Sequence, residues 1–115
     1  MEMLVDPGYA IWVAYSGEHP AGCILYRPLS QRPSSGEMKR LYVRPEYRGR
    51  GVAAQLLKIV EDFARSRGDN WLYLDTKDDL IEARQFYERH GYQPCERYNE
   101  NPQATIFLRK ALSGE

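Results

Sequence analysis

Apolar and polar positions along the chain alternate between strand-like and helix-like stretches. Residues 9–15, YAIWVAY, and 21–27, AGCILYR, carry the aromatic and branched apolar side chains of half-buried strands. Between them SGEHP supplies a Gly- and Pro-containing turn, so the pair predicts a hairpin. PLSQRPSSG reads as a loop. In EMKRLYV, residues 37–43, Met38, Leu41 and Val43 are the apolar positions of a strand that stops before Pro45, where a central ladder would lose a donor. From residue 52 the period changes. Val52, Ala53, Leu56, Leu57, Val60, Phe63 and Ala64 form one helical stripe, Gln55, Lys58, Glu61, Asp62 and Arg65 fall off it, and Gly68 is a plausible stop. WLYLDT at 71–76 predicts a short buried strand, and DDLIEARQFYERHG at 78–91 a second helix opened by an Asp cap and closed at Gly91. YQPCERY at 92–98 and TIFLRKAL at 105–112, joined by the polar NENPQA, complete the pattern as two strands.

The predicted order is β-β-β-α-β-α-β-β. It implies an α/β fold: a mixed, mostly antiparallel sheet with two main helices and a central parallel pair, formed where strand 37–43 crosses over through a helix to strand 71–76. With 115 residues and no repeat or linker, one domain over 1–115 is expected.

Charge then narrows the function. Sixteen Lys and Arg balance sixteen Asp and Glu, which argues against a nucleic-acid binder and requires any anion site to be local. No apolar run reaches the roughly 18–20 residues of a membrane span and no signal-like segment opens the chain, so a cytoplasmic protein without a membrane partner is expected. Cys23 and Cys95 lie in separate strand-like segments without CxxC spacing, and His19 and His90 fall in a turn and at a helix end, so no metal is expected and the thiols read as buried and reduced.

The local anion site is the turn Arg48-Gly49-Arg50-Gly51-Val52-Ala53, between strand 37–43 and the first helix. A strand-to-helix turn presents unpaired amides and the positive end of the helix dipole, a place that binds phosphate. Glycines let the backbone approach an anion and the two arginines add charge. The spacing fits neither a P-loop nor the dinucleotide-binding G-x-G-x-x-G.

It does fit [Arg or Gln]-x-x-Gly-x-[Gly or Ala]. Preceded by EMKRLYVRPEY and followed by WLYLDT and ARQFYERHGYQPCERY, the stretch from about 37 to 98 resembles the acetyl-CoA-binding region of the GNAT N-acetyltransferase superfamily. The resemblance implies acetyl-CoA as co-substrate. Amides of Gly49, Gly51, Val52, Ala53 and Ala54 would grip its pyrophosphate beside Arg48 and Arg50, and main-chain groups around Leu41, Tyr42 and Val43 would bond the pantetheine arm like an added strand. It further implies Tyr87 as the acid that protonates the departing thiolate, Glu37 as the base acting through water, and direct attack by the amine of a small molecule near Tyr98, Asn99 and Asn101. From the residues alone, plainer readings stay open: Tyr87 as an interface aromatic, Glu37 as a solvated glutamate at a strand start, RYNENPQA as a surface hairpin, and the domain as a CoA-binding module without catalysis. Two departures from the family are visible. Leu80 stands where many members carry Asn, and only eight residues precede YAIWVAY, so the family's usual first strand and first two helices are not expected. An uncovered sheet edge would follow, and a homodimer is the expected remedy.

Overall fold

In the computed structural model, residues 9–76 and 81–112 are described in full and residues 2–6 as backbone. The strands are β1 (Glu2–Asp6), β2 (Tyr9–Ser16), β3 (His19–Pro28), β4 (Ser35–Val43), β5 (Trp71–Thr76), β6 (Gln93–Pro94) and β7 (Ile106–Ala111). Helix α1 (Val52–Ser66) follows β4, and helix α2 (Ile81–Arg89) follows β5. One sheet takes all the strands in the order β1-β2-β3-β4-β5-β7-β6, with β4 and β5 parallel and every other neighbouring pair antiparallel.

The predicted elements are present, with two differences. A further strand, β1, precedes them and pairs antiparallel with β2 from Glu2↔Val13 to Asp6↔Tyr9. A five-residue apolar stretch carries too little pattern to be read without its partner. The strand expected over 92–98 is reduced to Gln93–Pro94. There the Arg97 guanidinium donates to the carbonyls of Asn99, Asn101 and Ala104 and folds the chain into a compact loop instead of a ladder. Residues 77–80 lie outside the described residues, and with them the expected Asp cap of α2 and Leu80.

The core lies between α1 and one face of the sheet. Trp12 of β2, Ile24 and Tyr26 of β3, Met38 of β4, Leu72 and Leu74 of β5 and Leu108 of β7 meet Leu56, Leu57 and Val60 of the predicted helical stripe. Phe63 completes the contact, receiving the rings of Trp12 and Tyr26 edge-on at 4.9 and 5.1 Å. Gly36 is required here because a Cβ would stand 2.3 Å from the Tyr26 ring.

Two irregularities position the site. The β4–β5 ladder pairs only Ser35, Gly36 and Glu37 with Trp71, Leu72 and Tyr73, although both strands run on, so the strands part beyond that point. On the other side of β4, Leu25 faces Lys39 and Cys23 faces Tyr42, which leaves one extra residue on β4. The bulge includes Arg40 at φ 59°, in the left-handed region, and bulges bend the strand that carries them.

Candidate functional site

Beyond its ladder with β5, strand β4 runs on through the turn to the start of α1. Gly49 and Gly51 take φ of 79° and 81°, a left-handed geometry that glycine adopts without strain, and a Cβ on either would meet no atom within 4 Å. The first intrahelical bond runs from Gln55 N–H to the Gly51 carbonyl. The amides before it have no intrahelical acceptor, no side chain caps them, and no acidic residue lies in the first turn to neutralise the dipole.

A cavity of about 400 Å³ stands against this terminus, lined by Arg48, Gly49, Gly51, Val52, Ala53 and Ala54 together with Val43, Tyr47, Phe86 and Arg89. A second, of about 280 Å³, continues it along β4 between Leu41, Tyr42, Val43 and α2, with Glu82, Ala83, Phe86 and Tyr87 on the helix side. Val43, Arg48, Ala53 and Phe86 wall both, so the two make one groove from the α1 terminus to Tyr87.

Within the groove Arg48 donates from Nε to the Val43 carbonyl at 2.9 Å and lies over the half-exposed Tyr42 ring, which braces the turn against the end of β4. Arg50 instead lies over Tyr47 and is absent from the lining. Arg89 and Phe86, which the sequence reading did not single out, take part from α2. Their signal was their three-residue spacing, which puts both on one helical face. Burial, and secondarily the Asp75 carboxylate, push the Tyr87 hydroxyl up to about 12.

Glu37 lies apart from the groove. Its side chain is fully buried on the sheet face away from α1. Arg27 Nε donates to Oε1 at 2.6 Å, Tyr98 Oη and Asn99 Nδ2 donate to Oε2 at 2.5 and 3.1 Å, and Lys39 Nζ is 3.6 Å away. It is therefore not the solvated strand-start residue that the sequence alone allowed. Asn99 donates at 2.5 Å to Oδ2 of Asp75, which also accepts from Lys39 and Asn101 at 3.3 and 3.4 Å. The loop residues Tyr98, Asn99 and Asn101 are thus joined to the buried carboxylate of Glu37 and the partly buried one of Asp75, and burial and the bond to Glu37 hold the Tyr98 phenol far above its usual range. Asp75 had no sequence signal, standing as one acid at the end of an apolar strand. Among the described residues no group of three or more His, Cys, Asp and Glu is arranged around a metal, and Cys23 and Cys95 are half-buried and unbridged.

This geometry agrees with the comparisons with known proteins. The family described as Acetyltransferase (GNAT) family matches residues 2–92. An uncharacterized N-acetyltransferase of Schizosaccharomyces pombe is 34% identical over 110 residues, covering 93% of this chain and 67% of that protein. The uncharacterized N-acetyltransferase YsnE of Bacillus subtilis is 33% identical over 117 residues, covering 97% and 76%. In fold, the chain superposes on a GNAT-family acetyltransferase from Staphylococcus aureus Mu50 with a TM-score of 0.84 at 21% identity, covering 92% of this chain and 69% of that one. The uncapped α1 terminus, the parted strands and these relatives together make the chain a member of the GNAT acetyltransferase family, an N-acetyltransferase.

Proposed function

We propose that the chain is one acetyltransferase domain that transfers the acetyl group of acetyl-CoA to the amine of a small molecule by direct attack. The observation that carries this reading is the continuous groove, with unpaired amides at one end and Tyr87 at the other, running along the part of β4 beyond its ladder with β5.

In this reading the amides from Gly49 to Ala54 hold the diphosphate, aided by Arg48 and Arg89, and the free edge of β4 from Leu41 to Val43 bonds the pantetheine arm. Arg50 acts at longer range, bracing Tyr47. A main-chain N–H of the same strand faces the acetyl carbonyl and stabilises the charge that grows on its oxygen. The acceptor enters on the side of Glu37 and Asp75, whose carboxylates are paired with Arg27 and Lys39 and offer hydrogen-bond acceptors in a cluster of balanced charge. An amine of lysine-like pKa, about 10.4, must lose a proton before it attacks, and the Glu37–Asp75 cluster takes it, Glu37 through water. The N–C bond forms and the C–S bond breaks with its electron pair on sulfur; the Tyr87 hydroxyl, which burial pushes up to about 12, gives the thiolate its proton and recovers one through water from the new amide nitrogen. A cytoplasmic site suits the unbridged cysteines.

A homodimer belongs to the same reading. Ala10, Trp12 and Ala14 point at α1, so strand alternation puts Tyr9, Ile11, Val13 and Tyr15 on the opposite face, where both tyrosines are 43% exposed.

Calorimetric titration with acetyl-CoA followed by thiol release across an amine panel tests the function. Binding with amine-dependent release supports it. Binding without release for any amine favours a CoA-binding module, and no binding removes both. Sedimentation showing only monomer at micromolar concentration would remove the dimer.

A further inference from the structure

On the sheet face away from α1, next to the Glu37–Asp75 cluster, lies a small cavity of about 110 Å³ that the reading above does not use. Arg32, Tyr73, Pro94, Cys95, Glu96 and Arg109 line it. Arg32 comes from the loop before β4 and Arg109 from β7, and each donates from Nη1 to the Tyr73 hydroxyl, at 3.4 and 3.2 Å. Their planes are held by aromatic rings: Arg109 lies 3.9 Å over Trp71, and Arg32 lies 5.3 Å over Tyr73. Among the described residues neither guanidinium has a carboxylate partner within ion-pair distance. The acid in the lining, Glu96, is exposed and bridges neither. No described side-chain nitrogen is buried without a partner, so the remaining N–H groups of both arginines face accessible space. Two fixed, half-buried guanidinium groups that converge on one hydroxyl and leave donors open suit a planar oxyanion.

The position of this pair relates it to the acceptor. Tyr73 pairs in register with Glu37 across the β4–β5 ladder and stands two residues before Asp75 on the same face of β5, about 7 Å along the strand. One stretch of chain roofs both places: Cys95 and Glu96 wall the arginine cavity, while Tyr98 and Asn99 bond Glu37, and the rings of Tyr73 and Tyr98 touch at 4.9 Å. The face therefore displays the Arg32 and Arg109 pair, which has no carboxylate partner among the described residues, beside two carboxylates already paired with Arg27 and Lys39.

We propose that Arg32 and Arg109, with the Tyr73 hydroxyl, form a carboxylate subsite, so that the acceptor is an amino acid or a similar molecule bearing a carboxylate besides its amine. The acceptor identity rests on the acetyltransferase reading; the anion site does not. The subsite sets specificity: the arginines hold the end of the acceptor that does not react, and a plain amine leaves them empty.

Two measurements test this. In the first, thiol release is measured with matched acceptors, leucine against 3-methylbutylamine and γ-aminobutyrate against propylamine, for the wild type and for Arg32→Gln and Arg109→Gln. The expected result is a higher kcat/KM for the carboxylate-bearing member of at least one pair, and a fall of about tenfold or more in that preference in each variant, the scale of one lost charge-assisted bond. A purely structural role would lower both members of a pair equally. A wild type that prefers the plain amines, or a preference untouched by both substitutions, overturns the proposal and leaves the acetyltransferase reading standing. In the second, the arginine Nε–H signals are followed by ¹H–¹⁵N NMR during titration with acetate, and separately with acetyl-CoA, requiring no turnover. Saturable shifts of Arg32 and Arg109 with acetate alone support the subsite. Their absence overturns it, and equal shifts with acetyl-CoA assign the arginines to a coenzyme phosphate, which also overturns it. A chain inactive with every amine removes the acceptor identity along with the function, while the acetate titration still decides the anion site.

Discussion

Glu37 is the third residue of β4, and alternation along that strand sends Met38 to the core under α1 and Glu37 to the opposite face. Its oxygens accept from Arg27, Tyr98 and Asn99, so a neutral amide in its place would turn one donor toward another. Glu37→Gln is expected to cost about 1–3 kcal/mol of stability, read by urea denaturation, because a buried hydrogen-bonded network loses partners. If Glu37 also moves the amine proton, thiol release falls further than the loss of folded protein explains. Tyr87 gives a cleaner test, because its shift has a definite sign. Burial first and Asp75 second raise it from 10.0 to about 12, so the hydroxyl keeps its proton through pH 10, where an ordinary tyrosine is half ionised. Activity that needs the protonated form persists across pH 10 and declines only toward pH 12. Tyr87→Phe is expected to lower kcat by about 10²–10⁴-fold, the range of a lost proton-transfer group, with the dissociation constant for acetyl-CoA within a few-fold of wild type. A wild-type profile that declines with its midpoint at pH 10, or a variant with full kcat, would contradict the assignment.

At the scale of elements, α1 was the most legible part of the chain, since a fifteen-residue helix repeats its apolar stripe often enough to exclude a strand. The final strands were less so. Strand-like composition in YQPCERY says nothing of the Arg97 guanidinium, which gathers three carbonyls of the following loop and leaves Gln93–Pro94 as the whole of β6. The proposed anion site at the turn into α1 rests on glycines that pack against nothing, and this invites a paired substitution. Gly51 at φ 81° and Gly17 at φ 62° are both left-handed, and neither has an atom within 4 Å of an added Cβ. Alanine at either costs about 1–2 kcal/mol of backbone strain. Gly17 lies in the β2–β3 turn, away from the groove. Both variants are expected to lose similar stability by thermal denaturation, while Gly51→Ala weakens acetyl-CoA binding about tenfold or more and Gly17→Ala leaves it unchanged. Equal affinities in the two variants would detach the turn from coenzyme binding.

Across the whole molecule, the legible features are those that repeat along the chain, and the missed ones arise where distant segments meet. The parting of β4 from β5, the burial of Glu37 and the junction of Asp75 with Asn99 all depend on partners dozens of residues apart or on a ladder that ends early. Tyrosines show the same dependence, and their burial sets how the fold responds to alkali. Tyr26, Tyr87, Tyr92 and Tyr98 are all pushed up, burial being the leading cause in each. Three donate to carboxylates: Tyr26 to Asp69, Tyr92 to Glu61 and Tyr98 to Glu37. In the unfolded chain these phenols titrate near pH 10, and in the folded chain they hold their protons to higher pH. Above pH 10 the folded state therefore binds more protons, and stability must fall as pH rises. Their contribution is complete below pH 10 and drains away above it. The Tm is expected to be flat from about pH 8 to 9.5 and then to drop steeply. For Tyr92, which is 2% exposed, the loss is about 1.4 kcal/mol per pH unit once its unfolded form is ionised. Tyr92→Phe is expected to be less stable at pH 8, because Glu61 keeps only Lys110 among these partners, yet to lose stability more gently above pH 10, since one fewer proton is linked to folding. Denaturant midpoints of both proteins between pH 8 and 11 measure this directly, and parallel curves would show that the Tyr92 hydroxyl ionises alike in the folded and unfolded chain.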